Sequence, residues 1–108
     1  IIVGTTDLIY KRDDAVPAVF FGQDVHLPSW PARFGGQARA PIFPGFVRIL
    51  DGVAEIDLAD PIREKDLEKA TQAWADAFQA FLLDAPWDWA FLCDLRWGRL
   101  LDAAGREK

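Results

Sequence analysis

Asp51-Gly52 is the feature that most narrows what this chain can fold into, because it lies between two alternating strings, Phe46-Val47-Arg48-Ile49-Leu50 and Val53-Ala54-Glu55-Ile56-Asp57-Leu58. Asp-Gly readily takes the positive φ angles of a two-residue type I′ turn, so the strings read as a β-hairpin with a definite register. Pairing Leu50 with Val53 sets Ile49 against Ala54, Arg48 against Glu55 and Val47 against Ile56. One face then carries Val47, Ile49, Ala54, Ile56 and Leu58, and the expectation is that this apolar face is buried. On that expectation Ile56→Ala costs about 2–5 kcal/mol. The opposite face sets Arg48 against Glu55, with Asp57 beyond. Pro41 and Pro44 lack ladder donors and push the start of the first strand towards an edge or bulge.

After Asp60-Pro61 the apolar period lengthens from two to about 3.6. Leu67, Ala70, Trp74, Ala77, Phe78, Phe81 and Leu82 form one stripe, with Asp66, Lys69, Gln72, Asp76 and Gln79 elsewhere on the wheel. A long amphipathic helix ended by Pro86 follows. A second helical pattern runs from Pro86 to about Leu101 and is apolar on most sides. Some of Trp87, Phe91, Leu95, Trp97 and Leu101 are therefore expected to be exposed. Upstream, Ile1 to Val3 reads as a strand running into Gly4-Thr5-Thr6-Asp7, and Lys11-Arg12-Asp13-Asp14 as a charged loop. Ala18 to Phe21 is a further short strand stopped by Gly22. Gln23 to Pro31, with prolines, His26 and Trp30, reads as an ordered loop. Pro31 then opens a short helix from Ala32 to Ala40 across Gly35-Gly36. These signals describe a single α/β domain over residues 1–108.

Composition excludes several classes. With 51% hydrophobic residues and a mean hydropathy of +0.01, the chain can fill a core and is not disordered. A chain of 108 residues buries about 65% of its unfolded surface. Its formal net charge of −5, without a basic run, excludes a nucleic-acid footprint. The single cysteine, Cys93, excludes an internal disulfide framework and a cysteine-based metal knuckle, and fits a reducing compartment best. No apolar stretch is long enough to span a bilayer, and no signal peptide is legible. The chain opens on Ile1 and contains no methionine, which leads us to expect a segment of something longer.

Candidate chemistry is sparse. His26 is the only histidine, and the acid that would orient it as a general base does not follow it: Leu27, Pro28, Ser29, Trp30 and Pro31 come next. Ser29 lacks a nucleophile elbow and Cys93 lies in a tryptophan-rich helix, so both read as structural. Asp57 with Asp60, and Asp13 with Asp14, lack the spaced oxygen ligands of a calcium loop. Gly4 and Gly35-Gly36 do not make a phosphate loop. No metal, cofactor or nucleotide site is expected, and Trp87, Trp89 and Trp97 read first as packing.

Taken in order, Val19-Phe20-Phe21-Gly22, Val25-His26-Leu27-Pro28-Ser29-Trp30-Pro31-Ala32 and Ala40-Pro41-Ile42-Phe43-Pro44-Gly45-Phe46-Val47-Arg48 resemble the C-terminal portion of the bacterial lysophospholipid acyltransferase family. The nearest branch is that of the lipid A lauroyl and phosphatidylinositol mannoside acyltransferases. Asp7, Phe20 to Gly22, Pro28, Pro31-Ala32, Pro44 and Pro86-Trp87-Asp88-Trp89 occupy the family's characteristic places over nearly the whole chain. Departures are Leu8 where arginine usually follows the acid, Trp30 where glycine usually precedes Pro-Ala, and Arg96-Trp97 about one residue late. The resemblance implies the C-terminal part of a mixed-sheet acyltransferase fold, with a β-hairpin and two C-terminal helices, and substrate-binding roles for Asp7, Phe20, Phe21, Gly22 and Pro44. The family's catalytic histidine, with an acid five residues later, lies upstream of these segments, so no catalytic residue falls in this chain and the chain alone is expected to be inactive. Acyl carrier protein or coenzyme A would carry the donor thioester. The acceptor would be a hydroxyl of a glycolipid or lipid A precursor. The full-length protein would work at the cytoplasmic face of the bacterial inner membrane, peripherally or through an N-terminal anchor. The competing reading is a freestanding, non-enzymatic α/β module that docks a partner or membrane through its tryptophan-rich last helix.

Overall fold

The computed structural model describes residues 15–88. The expected strand at Ile1 to Val3, Asp7, the charged loop at Lys11 to Asp14, Cys93 and the last helix beyond Asp88 lie outside the described residues. Two antiparallel hairpins and two helices make up the remainder, a mixed α/β fold.

The first hairpin joins β1 (Val16–Phe20) to β2 (Gln23–Leu27) through Phe21 and Gly22. This corrects the reading of residues 23–31 as a loop. Gln23-Asp24-Val25-His26-Leu27 alternates as a half-buried strand should, with Val25 and Leu27 inward and Asp24 and His26 outward. Phe21 at φ 51° and Gly22 at φ 75° supply the paired positive angles of a two-residue hairpin turn. Only Gly22 advertises that conformation in the sequence; a phenylalanine there is rare.

Ser29 precedes α1 (Trp30–Ala38), and Pro31 sits in its first turn, where the missing N–H costs nothing. Arg39 closes α1 in the left-handed region at φ 52°, donating its N–H to the Gly36 carbonyl. Gly35 has a packing reason: a Cβ there would meet Ile42 Cγ1 at 3.1 Å and the Ala40 carbonyl at 3.3 Å. Ile42 then forms an isolated antiparallel bridge with Ile62, and Pro44 delivers the chain into β3.

The second hairpin pairs β3 (Gly45–Leu50) with β4 (Val53–Leu58) in the register read from the sequence, Leu50 opposite Val53 and Val47 opposite Ile56. Asp51 at φ 51° and Gly52 at φ 77° make the turn. The buried face, however, is corrected. Val47, Ile49, Ile56 and Leu58 are each more than half exposed, and Arg48 points towards the neighbouring helix instead. The reason lies in Phe46, which shares a face with Arg48 and stacks on two helical phenylalanines, so the hairpin turns that side inward.

That helix is α2 (Leu67–Asp84). Asp66 caps its start, accepting a hydrogen bond from the Lys69 N–H at 2.9 Å, and the chain leaves it through Ala85 into a single 3₁₀ turn, Pro86–Asp88. Its stripe packs across the first hairpin: Trp74, Ala75, Phe78 and Leu82 form one core with Ala18, Phe20, Val25 and Leu27. Burying each of the larger of these side chains contributes about 1.5–3 kcal/mol.

Candidate functional site

An aromatic ladder crosses the molecule and ends at a charge cluster. Phe20 of β1 stacks on Phe78 with ring centroids 5.4 Å apart. Phe78 stacks on Phe46 at 6.0 Å, and Phe46 on Phe81 at 4.5 Å. Near-parallel offset rings at these separations add stabilisation beyond the area they bury. The ladder ties β1, α2 and β3 together, and Arg48 lies over its last ring, 5.7 Å from the Phe81 centroid.

Arg48 also reaches the end of α2. Its Nη2 donates to Asp84 Oδ2 at 2.6 Å and its Nε lies 3.4 Å from Asp57 Oδ2 on β4. The hydrogen bond to Asp84 holds the guanidinium above its ordinary pKa against the opposing effect of desolvation, and the charges of Asp84, Asp57 and Asp88 add to it. Arg48 is thus a permanent cation already matched by carboxylates. Such a group fastens hairpin to helix; an incoming phosphate or carboxylate would have to displace Asp84 first.

The residues singled out by resemblance divide between two places. Phe20 is 1% exposed and serves the core. Phe21 sets its ring edge-on to Phe20 at 4.8 Å, half buried, and Gly22 forms the exposed side of the turn with open space around it. Pro44 stands at the entrance to β3, its carbonyl accepting from the Ala59 N–H at 2.8 Å. Asp7 lies outside the described residues.

His26 points outward from β2, opposite Pro17, and has no hydrogen-bond or ion-pair partner among the described residues. Ser29 is 2% exposed, and neither its Oγ nor the Nε1 of buried Trp74 has a hydrogen-bond partner among the described residues. No cluster of His, Cys, Asp and Glu fit to hold a metal occurs among the described residues. None of their helices is long and apolar enough to cross a membrane. Trp87 is 71% exposed, as expected for at least one of the five apolar residues of the C-terminal pattern; the other four lie outside the described residues.

Gln72 and Gln79, assigned to the outer wheel of the helix, turn out to close the free edge of β1. Gln72 Oε1 accepts from the Val19 N–H at 2.8 Å, and its Nε2 donates to the Val19 carbonyl at 2.9 Å. Gln79 Oε1 accepts from the Phe21 N–H at 2.8 Å. Their seven-residue spacing, two helical turns, places both on one line and was the available signal.

No protein-family model matches the chain, and a search of curated proteins finds no match to it.

Proposed function

We propose that this chain is the C-terminal portion of an acyltransferase of the bacterial lysophospholipid type, which moves a fatty acyl group from a thioester to a hydroxyl of a glycolipid or lipid A precursor. The observation that carries the reading is the ordered series of motifs from Phe20-Phe21-Gly22 through Pro31-Ala32 and Pro44 to Pro86-Trp87. Its support from the fold is positional. Each motif stands at an element boundary: the turn of the first hairpin, the opening of α1, the entry to β3 and the exit from α2. In this reading a histidine and acid supplied by upstream sequence take the proton from the acceptor hydroxyl, which attacks the thioester carbonyl and releases the carrier thiol. The present chain contributes scaffold and part of the substrate groove. The donor is carried on acyl carrier protein or coenzyme A, and the full protein works at the cytoplasmic face of the inner membrane.

The test compares residues 1–108 with a form extended upstream to include a histidine followed five residues later by Asp or Glu. Acyl transfer from acyl carrier protein and from coenzyme A thioesters to lysolipid and lipid A precursors should appear only in the extended form. Turnover by residues 1–108 that is lost in His26→Ala would overturn the reading, as would upstream sequence without such a histidine.

A second reading, an interaction module without catalysis, is favoured by the exposure of Trp87 together with Val47, Ile49, Ile56 and Leu58. Acyl transfer by the extended form would dismiss it.

A further inference from the structure

The strand edges of the two hairpins differ in how they are closed. Residues in the non-hydrogen-bonded pairs of an antiparallel ladder direct their N–H and C=O groups away from the partner strand. On β1 these positions are Pro17, which has no N–H, and Val19, whose two groups are both held by Gln72; Gln79 takes the next donor, Phe21. On β3 the Ile49 N–H is covered by Asp88 Oδ1 at 3.3 Å, which interrupts that edge and leaves only Val47 and Gly45 without partners among the described residues. On β4 the corresponding residues are Ala54, Ile56 and Leu58, opposite Ile49, Val47 and Gly45, and none of their outward groups has a partner among the described residues. The edge of β2 also has no partner among the described residues, but it presents the polar Asp24 and His26. Along β4 the unpaired backbone coincides with exposed Ile56 and Leu58 on one face and with Glu55 and Asp57 on the other. An open, extended, partly apolar edge of this kind is a template for strand addition.

We propose that the outer edge of β4 binds an extended segment of a partner protein in which apolar and basic residues alternate. The charges choose this occupant. A strand added to β4 sets its side chains directly opposite Glu55 and Asp57, and opposite charges in such pairs are favourable whereas like charges are not. Arg48 reaches Asp57 only at 3.4 Å, and Glu55 has no partner among the described residues. A second copy of β4 would bring acids against acids. A lipid surface would leave the row of backbone donors unsatisfied and would meet Asp51, Glu55 and Asp57. Apolar residues on the other face of the added strand cover Ile56 and Leu58. The inference is independent of acyl transfer.

Two synthetic peptides test it, Thr-Val-Lys-Val-Arg-Val-Thr and the same sequence with Glu in place of Lys and Arg, each titrated into isotope-labelled chain 1–108 and followed by amide exchange. The basic peptide is expected to protect the amides of Ala54, Ile56 and Leu58, and the acidic one to bind about tenfold more weakly. Ile56→Pro removes an outward donor while sparing the inner ladder, an arrangement the chain already tolerates at Pro17, and should abolish protection. Glu55→Lys, a change at an exposed position that faces Arg48 across the ladder, leaves Asp57 as the single acid, should remove the preference between peptides and keeps the test sound if Ile56→Pro fails to fold. Equal binding of both peptides by the unaltered chain, or none, overturns the proposal. So does protection of these amides before any peptide is added, whether from another part of this chain or from concentration-dependent self-association.

Discussion

Gln72 grips Val19 at both of its main-chain groups, accepting from the N–H at 2.8 Å and donating to the C=O at 2.9 Å, so that a helical side chain stands where a neighbouring strand would. A primary amide can do this because it offers an acceptor and a donor side by side. Gln72 is steadied in turn by Asp76, which accepts from its Nε2 at 2.8 Å. Gln72→Ala should therefore lower stability by about 1–2 kcal/mol and expose the Val19 amide to exchange. Gln72→Glu keeps the acceptor but turns a carboxylate onto the Val19 carbonyl and Asp76, and should cost at least as much as Gln72→Ala, as read by chemical denaturation.

Phe20 separates a core role from a substrate role. Its ring is 1% exposed and stacks on Phe78, so Phe20→Ala should cost about 3–5 kcal/mol, a large share of what a domain this size possesses. Loss of the cooperative thermal transition is the expected readout. A variant that folds normally and loses only lipid binding would return Phe20 to the substrate groove.

Gly22 and Gly52 both sit at positive φ, 75° and 77°, and a Cβ at either position would meet nothing within 4 Å. The cost of Gly22→Ala and of Gly52→Ala is then purely conformational, about 1–2 kcal/mol each. Because the two turns belong to separate hairpins, the double variant should show the sum of the single effects. Denaturant midpoints at constant slope would check this.

Ser29 precedes α1, yet its hydroxyl makes no capping bond and lies buried without a partner among the described residues. Removing an unsatisfied buried hydroxyl gives back its desolvation cost, so Ser29→Ala should leave stability unchanged or raise it by about 1 kcal/mol. A drop of about 1 kcal/mol or more would instead reveal a bond made by that hydroxyl.

Ile56→Ala, which burial of the hairpin's apolar face would make severe, should cost less than about 1 kcal/mol given that Ile56 is 71% exposed. A loss of about 2 kcal/mol or more would mean that something covers this face in solution.

Much of the local structure was legible from residue order alone. Asp51-Gly52 set the turn and hence the pairing of Leu50 with Val53, because a two-residue turn leaves only one register open to strictly alternating strands. Pro86 marked the end of α2 and Pro31 the opening of α1, since prolines act on the backbone within a turn of themselves, whereas Asp66, read as one of the polar residues of the helix, proved to be its cap. The first hairpin escaped notice because Phe21 carries no turn signal. Its positive φ goes with a hydrogen bond to Gln79, 58 positions away in the sequence, which no local pattern announces. Which face of the second hairpin turns inward was likewise a tertiary decision. Alternation separates the faces of a strand but does not say which one meets a neighbour, and here the stack of Phe46 on Phe78 and Phe81, with Arg48 bound to Asp84, draws the mixed face onto α2 and leaves the apolar face outside.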